Sequence, residues 1–369
     1  MSGVLDEGRE EIEEPSLIQS GGRRWFLDWR VWFGVGITAL SLWYVGRGIP
    51  LGDVLTAMKS ANLPLLLVFS VPAYIASVWV RALRWRHFTN PIAEIPRSAL
   101  FRAQAIGFLV NNVVPLRIGE FVRAWALARE TKNSATAILG TVVIERTLDV
   151  ASVLLLAAAS LTWAGRSGDG STGLLAQGAL LLLPVGCFPV VGLVILRLWP
   201  AQIIAIARWF ARPLPARVGD TLERLLGSFS AGLGSLSGGS HLFWILFHTL
   251  VIWLLLSTIP VIAGIVAFDL DLGPPVEMLM TSWILLAAVG VAVAIPSAPG
   301  FFGTYQLAFN AVLERFGVEP ATALAIGLVV WFVFWITLVS LGLLVLRTQH
   351  TSLGELTHQS GKDPAAERR

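Results

Sequence analysis

An all-α polytopic membrane protein is the fold class this sequence predicts, with about six full spans and two re-entrant or broken helical hairpins, about eight membrane elements in an inverted repeat. Three observations lead there. Hydrophobic residues fill 55% of the 369 positions and charged ones only 14%, with a mean hydropathy of +0.71, whereas a soluble domain carries roughly 25% charge. Two broken apolar segments share one pattern, Pro115-Leu-Arg-Ile-Gly119-Glu-Phe121 and Pro299-Gly-Phe-Phe-Gly303-Thr-Tyr305: proline, three residues, glycine, one residue, aromatic. Unwound backbone is tolerated at membrane depth only inside protein or along a cavity, so paired breaks in two halves point to a translocator's binding site. The third observation is the arginine distribution, which orients the spans.

The elements follow in order. An acidic segment, 1–24, is expected to be a disordered cytoplasmic tail, with no cleavable signal peptide. Trp25, Trp29 and Trp32 share a helical face and form an interfacial belt ahead of a short first span, Val31–Gly46. Leu63–Val80 is the second span, closed by Arg81, Arg84 and Arg86. Leu100–Val114 and the amphipathic stretch from Pro115 to Glu130 make a hairpin that enters the membrane and returns. Ala135–Trp163 is a long span holding Glu145, Arg146 and Asp149. A Gly/Ser loop at 165–172 leads to a fourth span at 174–196, and Leu242–Phe268 is the fifth. Met278–Ile295 runs into the second break, Phe301–Leu313 leaves it, and Ala321–Leu346 is the last span. The transmembrane domain is thus 25–347, in halves of about 25–164 and 173–347, followed by a polar cytoplasmic tail, 348–369.

Between the halves, 200–236 repeats apolar residues at helical intervals (Val218, Leu222, Leu225, Phe229) opposite Arg217, Asp220 and Arg224. It is expected along the cytoplasmic interface, either to attract anionic headgroups or simply to tie the halves together. Placing both termini in the cytoplasm of a cell (inner or plasma) membrane puts all but five of the 27 Lys and Arg residues inside, the exceptions being Arg47, Lys59, Arg146, Arg166 and Arg315. The first hairpin then enters from the cytoplasm and the second from outside, as an inverted repeat requires.

Three polar clusters are the candidate binding site. Asn111, Asn112, Arg117, Glu120 and Arg123 flank the first break; arginine suits a lipid phosphate because its planar fork gives paired, charge-assisted hydrogen bonds. Glu120 and Arg123, three apart, could instead neutralise one another at a water-facing hairpin tip. Glu145, Arg146 and Asp149 lie deep in a span, where each charge costs about 2.5 to 3.5 kcal/mol and must be paired or wet. Arg146 is their expected cation, whether for an anionic ligand or in a purely structural pair. The third cluster, Pro299, Gly300, Gly303, Tyr305 and Gln306 together with Pro296 and Thr304, has no formal charge; a helix starting near Phe301 would turn its partly positive end to the break, unless the segment is only a tight turn. Cys187 is the single cysteine, and the five histidines show no ligand spacing and read as packed or interfacial residues. No metal, no cofactor, no catalytic constellation and no nucleic-acid partner is expected.

The run Asn111-Asn-Val-Val-Pro115-Leu-Arg117-Ile-Gly119-Glu120-Phe-Val-Arg123, then Glu145-Arg146 with Asp149, then Pro296-Ser-Ala-Pro299-Gly300-Phe-Phe-Gly303, resembles the flippase-like membrane domain of lysylphosphatidylglycerol synthases in its stand-alone form. Arg81-Ala-Leu-Arg84-Trp85 resembles it too. The resemblance implies a polytopic domain that moves a lipid, such as an aminoacylated phospholipid or a polyprenyl-linked intermediate, between leaflets. Gln306 stands where many relatives have glutamate, which weakens any proton-carrying role there. The synthase domain has no counterpart in this sequence, so lysyl-phosphatidylglycerol synthesis is not expected of it. Two other classes stay open: a non-transporting scaffold for a partner synthase or glycosyltransferase, and a membrane-embedded transferase, for which the membrane-depth acids are few.

Overall fold

The computed structural model describes residues 29–90, 92–114, 117–164, 199–211, 239–294 and 297–349, with isolated positions at 188, 191, 192 and 195. Outside the described residues lie the acidic tail, the 165–172 loop, most of the 174–196 span with Cys187, the 212–236 part of the interfacial segment, the end of the polar tail, and Pro115 and Pro296.

Every described element is helical. α1 is Trp29–Gly46, α2 Leu51–Ser60, α3 Leu63–Thr89, α4 Arg97–Val113, α5 Gly119–Thr131, α6 Ala135–Ala164 and α7 Pro200–Ala211; α8 (Gly239–Leu250) continues through a π-helical turn, Val251–Leu256, into α9 (Thr258–Ala267). α10 (Pro275–Ala294), a short 3₁₀ turn at Pro299–Phe301, α11 (Thr304–Arg315) and α12 (Pro320–Gln349) complete the described elements. Among the described residues, four helices are long and apolar enough to cross a membrane: α3, the α8–α9 unit, α10 and α12. α1 is apolar but shorter, and α6, 30 residues and so about 45 Å long, carries its three charges mid-helix. The protein is a multi-pass membrane protein.

Two local differences from the sequence reading matter. α2 was not foreseen; Pro50 starts it, Val54 is buried, and it packs on α12. α3 does not stop at Val80. Asn62 caps its start by accepting from the Leu65 N–H at 3.1 Å, and Ala82, Trp85 and Phe88 continue its buried face to Thr89. Arg81 and Arg84 are therefore inside the bundle rather than at an interface.

The hairpins enter from opposite ends. α3 runs antiparallel to the α8–α9 unit, since the Asn62 N–H donates to Ala267 O at 2.7 Å while His87 and His241 meet at the other end, Nδ1 to Nδ1 at 3.0 Å. α4 follows the His87 end and α10 the Ala267 end. The three described histidines are packed: His87 meets the rings of His241 and His248, and His248 stacks on Trp244 at 5.6 Å.

Candidate functional site

Deep in the bundle the charges of α3, α5 and α6 close into one network. Arg84, fully buried, donates to Glu145 Oε1 at 3.0 Å, to Asp149 Oδ1 at 2.8 Å and to Thr249 Oγ1 of α8 at 3.1 Å. Arg81 binds Asp149 Oδ2 at 2.9 Å, and Arg123 Nη2 lies 3.0 Å from Glu145 Oε2. Trp253, in the π turn, donates to Asp149 at 3.2 Å and lies under the Arg81 guanidinium at 5.5 Å. A π turn re-aims side chains within an otherwise regular helix, which here points Trp253 at the network. The four-residue spacing of Glu145 and Asp149 meets the three-residue spacing of Arg81 and Arg84 across the helix pair, so both carboxylates are paired and neither is left as an isolated charge in a low-dielectric site.

Arg146 is not their nearest cation. It binds Glu120 Oε1 at 3.0 Å and approaches Asp149 only to 3.7 Å, with a side chain 38% exposed. Its neighbours on the helix sequence were a poor guide because its side chain leaves the buried face of α6 toward α5. Glu120 and Arg123 likewise do not neutralise one another; Glu120 takes Arg146 and the Asn111 amide at 3.1 Å, while Arg123 takes Glu145 and Gln104 Oε1 and stacks on Trp85 at 4.9 Å.

Glycines set the α4–α5 crossing. A Cβ on Gly119 would lie 2.1 Å from Gly107 O and one on Gly107 would lie 2.9 Å from Arg123 Cβ, so only bare backbone lets these helices touch. The Gly119 N–H donates to Asn111 Oδ1 at 2.8 Å. A crevice forms there, lined by Gln104, Asn111, Gly119, Glu120, Arg123 and Arg146.

The two breaks meet. Arg117 and Phe301 occupy the same place in the repeated pattern, two residues after its proline, and both adopt left-handed backbone, φ 55° and 64°. Non-glycine residues seldom do this, and such strain gathers at functional sites. The Arg117 guanidinium sits 4.8 Å over the Phe301 ring and donates to Val293 O, while Trp335 of α12 donates to Asn112 O at 3.1 Å and Trp331 to Gly300 O at 2.6 Å. Thr38 of α1 ties down the same break, accepting from the Ala298 N–H at 2.9 Å and donating to Phe302 O at 3.1 Å. The helix after the break starts at Thr304, and its Gln306 reaches back to accept the Gly303 N–H at 2.7 Å, while the Phe301 N–H is taken by Ala298 O at 3.1 Å. Those two amides, of Phe301 and Gly303, are thus occupied internally. Tyr305 is buried against Phe309 at 5.1 Å and is a packing residue of this break.

The structure therefore joins the first two predicted clusters into one network and lays Pro299 and Gly300 against the Asn112–Arg117 tip. Gly303, Tyr305 and Gln306 support that tip from behind. A model of the lysylphosphatidylglycerol synthase TM region matches residues 31–342. The chain belongs to this family. Within the matched family region lie all thirteen predicted site residues, from Asn111 to Gln306, and those that spacing alone missed: Arg81, Arg84, Gln104, Thr249 and Trp253. A curated relative, Glycosyltransferase AglD of Haloferax volcanii, is 24% identical over 325 residues, covering 79% of this chain and 50% of its own length. The chain thus spans about half the length of the curated relative it matches. No solved structure matches.

Proposed function

We propose that this member of the lysylphosphatidylglycerol synthase TM region family moves an anionic or modified lipid between leaflets of the cell membrane, with both termini cytoplasmic, and that the thirteen predicted residues form its headgroup site. The meeting of two strained breaks, one entering from each end of the bundle, carries the reading. Alternation of access needs a site that both sides can reach, and broken helices at a repeat interface supply it. Arg117 is the headgroup's first contact; Arg123 and Arg146 lie behind it in the crevice, and lipid tails stay in the bilayer.

Replacing Arg117 with Gln is expected to slow movement of a fluorescent phosphatidylglycerol across reconstituted vesicles by about tenfold or more, as loss of one charge-assisted contact worth about 1.5 to 3 kcal/mol implies. Helix content should be unchanged. An Arg117→Gln protein that moves lipid at the parental rate removes this residue from the pathway. Orientation is tested separately: cysteine at Leu272 should label from outside and cysteine at the exposed Glu94 from inside. Labelling of both from one side would defeat the inverted arrangement.

A second reading, a membrane platform for a partner glycosyltransferase, is favoured by the name of the half-matched relative. It expects function to survive loss of Arg117 and Arg123 together while a bound partner is retained.

A further inference from the structure

Beside the arginine network, the end of α3 meets α8 through a cluster of imidazoles. His87 of α3 faces His241 of α8 Nδ1 to Nδ1 at 3.0 Å, with ring centroids 5.3 Å apart, and the ring of His248, further along α8, lies 5.6 Å from that of His87. His87 and His241 are partly exposed, so water and protons reach the pair, whereas His248 is buried. These contacts and the Arg84–Thr249 hydrogen bond tie α3 to α8. His87 is three residues from Arg84 and His248 adjoins Thr249, which puts the two ties about one helical turn apart.

The facing rings limit how many protons the pair can hold. Two imidazole nitrogens at 3.0 Å form a hydrogen bond only when one carries a hydrogen and the other offers its lone pair. The neutral pair meets this condition with one ring in its Nδ1–H tautomer, and the singly protonated pair meets it as well. With both rings charged, each Nδ1 is a donor, no acceptor is left between them, and two like charges meet. The surroundings add to the repulsion: Arg84 and Arg86 on α3, Arg97 at the start of α4 and His248 on α8 are the charged or chargeable groups that act on these rings. The acids of α6 are taken by arginine, Asp149 by Arg81 and Arg84, Glu145 by Arg84 and Arg123. Among the described residues no carboxylate, the exposed Glu94 of the α3–α4 turn included, pairs with an imidazole.

We propose that His87 and His241 form a proton-operated clasp between α3 and α8, closed while at most one of the two rings is charged and released when both are. Linkage gives the direction. Separated imidazoles both take up protons as pH falls through about 6.5, whereas the joined pair takes one at most, so the open form binds more protons and acid favours it by up to about tenfold for each pH unit below that value. Release frees the end of α3 from which the first hairpin departs, and leaves the Arg84–Thr249 bond as the tie to α8. The clasp operates whatever the protein carries.

Hydrogen exchange of the full chain in detergent, read by mass spectrometry and corrected for the intrinsic pH dependence of amide exchange, tests the clasp. Between about pH 7.5 and about pH 5.5, peptides covering the end of α3 and α8 should exchange about tenfold faster or more, while those of α11 should keep their protection. His241→Gln should remove the acid response from both segments, because its amide still donates to His87 Nδ1 but takes up no proton. His87→Gln is the second variant. Equal protection at the two pH values in the parent overturns the proposal, as does an acid response that persists in either folded variant. If neither variant folds, nitrogen NMR of the parent's histidine rings decides, and rings that all titrate independently of one another overturn it. Addition of a chelator at the higher pH should change nothing; loosening of the same two segments would mean that the imidazoles hold a metal ion instead of a shared proton, and the clasp would be wrong.

Discussion

Arg84→Ala should destabilise the protein by about 3 to 5 kcal/mol, the usual cost of removing one partner from a buried ion pair. Arg84 is fully buried and holds Glu145 and Asp149 at once, with Thr249 as a third contact on α8. Its loss leaves two carboxylates sharing Arg81, Arg123 and the distant Arg146, and of the links from α3 to α8 only the histidine contacts near His87 remain. Thermal unfolding in detergent, followed by tryptophan emission, reads the effect. Arg84→Lys should fall between, because one ammonium cannot bridge three acceptors in the geometry of a fork. Arg102→Ala is the matched comparison: its pair with Glu130 has side chains 31% exposed on both sides, so a change within about 1 kcal/mol is expected. Parental stability in Arg84→Ala would mean that the network contributes nothing to the fold.

Gly119→Val should have a comparable effect by a different route. Even a single Cβ there would fall 2.1 Å from Gly107 O and 2.5 Å from Asn111 Oδ1, neither of which can retreat, since one is helix backbone and the other holds the Gly119 N–H. α4 and α5 must separate, and Arg123 moves away from Gln104 and Glu145. Overpacking typically costs about 1 to 3 kcal/mol, and here a lost hydrogen bond adds roughly 1 kcal/mol more. Lipid movement should be lost with it. Gly36→Ala, in α1 with nothing near its added carbon, is expected to change neither stability nor movement. If Gly119→Val folds and transports as the parent does, the close crossing is not what shapes the crevice.

Much of this architecture was legible in the sequence because it rests on local rules. Hydropathy over a window marked α3, the α8–α9 unit and α12, and it also marked α10, which was read as the entering arm of the second hairpin and is long enough to span by itself. Gly/Pro chemistry marked both breaks, since proline removes a backbone donor and glycine admits positive φ; the equivalent left-handed backbone at Arg117 and Phe301 came only from the structure. The short helix α2 escaped because it has only ten residues, although Leu51, Val54, Leu55 and Met58 recur at helical spacing along it.

Partnership among the charges was decided by tertiary structure alone. Spacing along α6 made Arg146 the expected partner of Asp149, and spacing along α5 left a Glu120–Arg123 pair open as an alternative, because three residues apart means one helix face. The folded chain instead pairs Asp149 with Arg81 and Arg84, Glu145 with Arg84 and Arg123, and Glu120 with Arg146. Sequence fixes which residues share a face, but the rotation of one helix against another fixes which face meets which. In a low-dielectric interior the partner that brings two or three aligned donors wins over the one that is merely near in the chain.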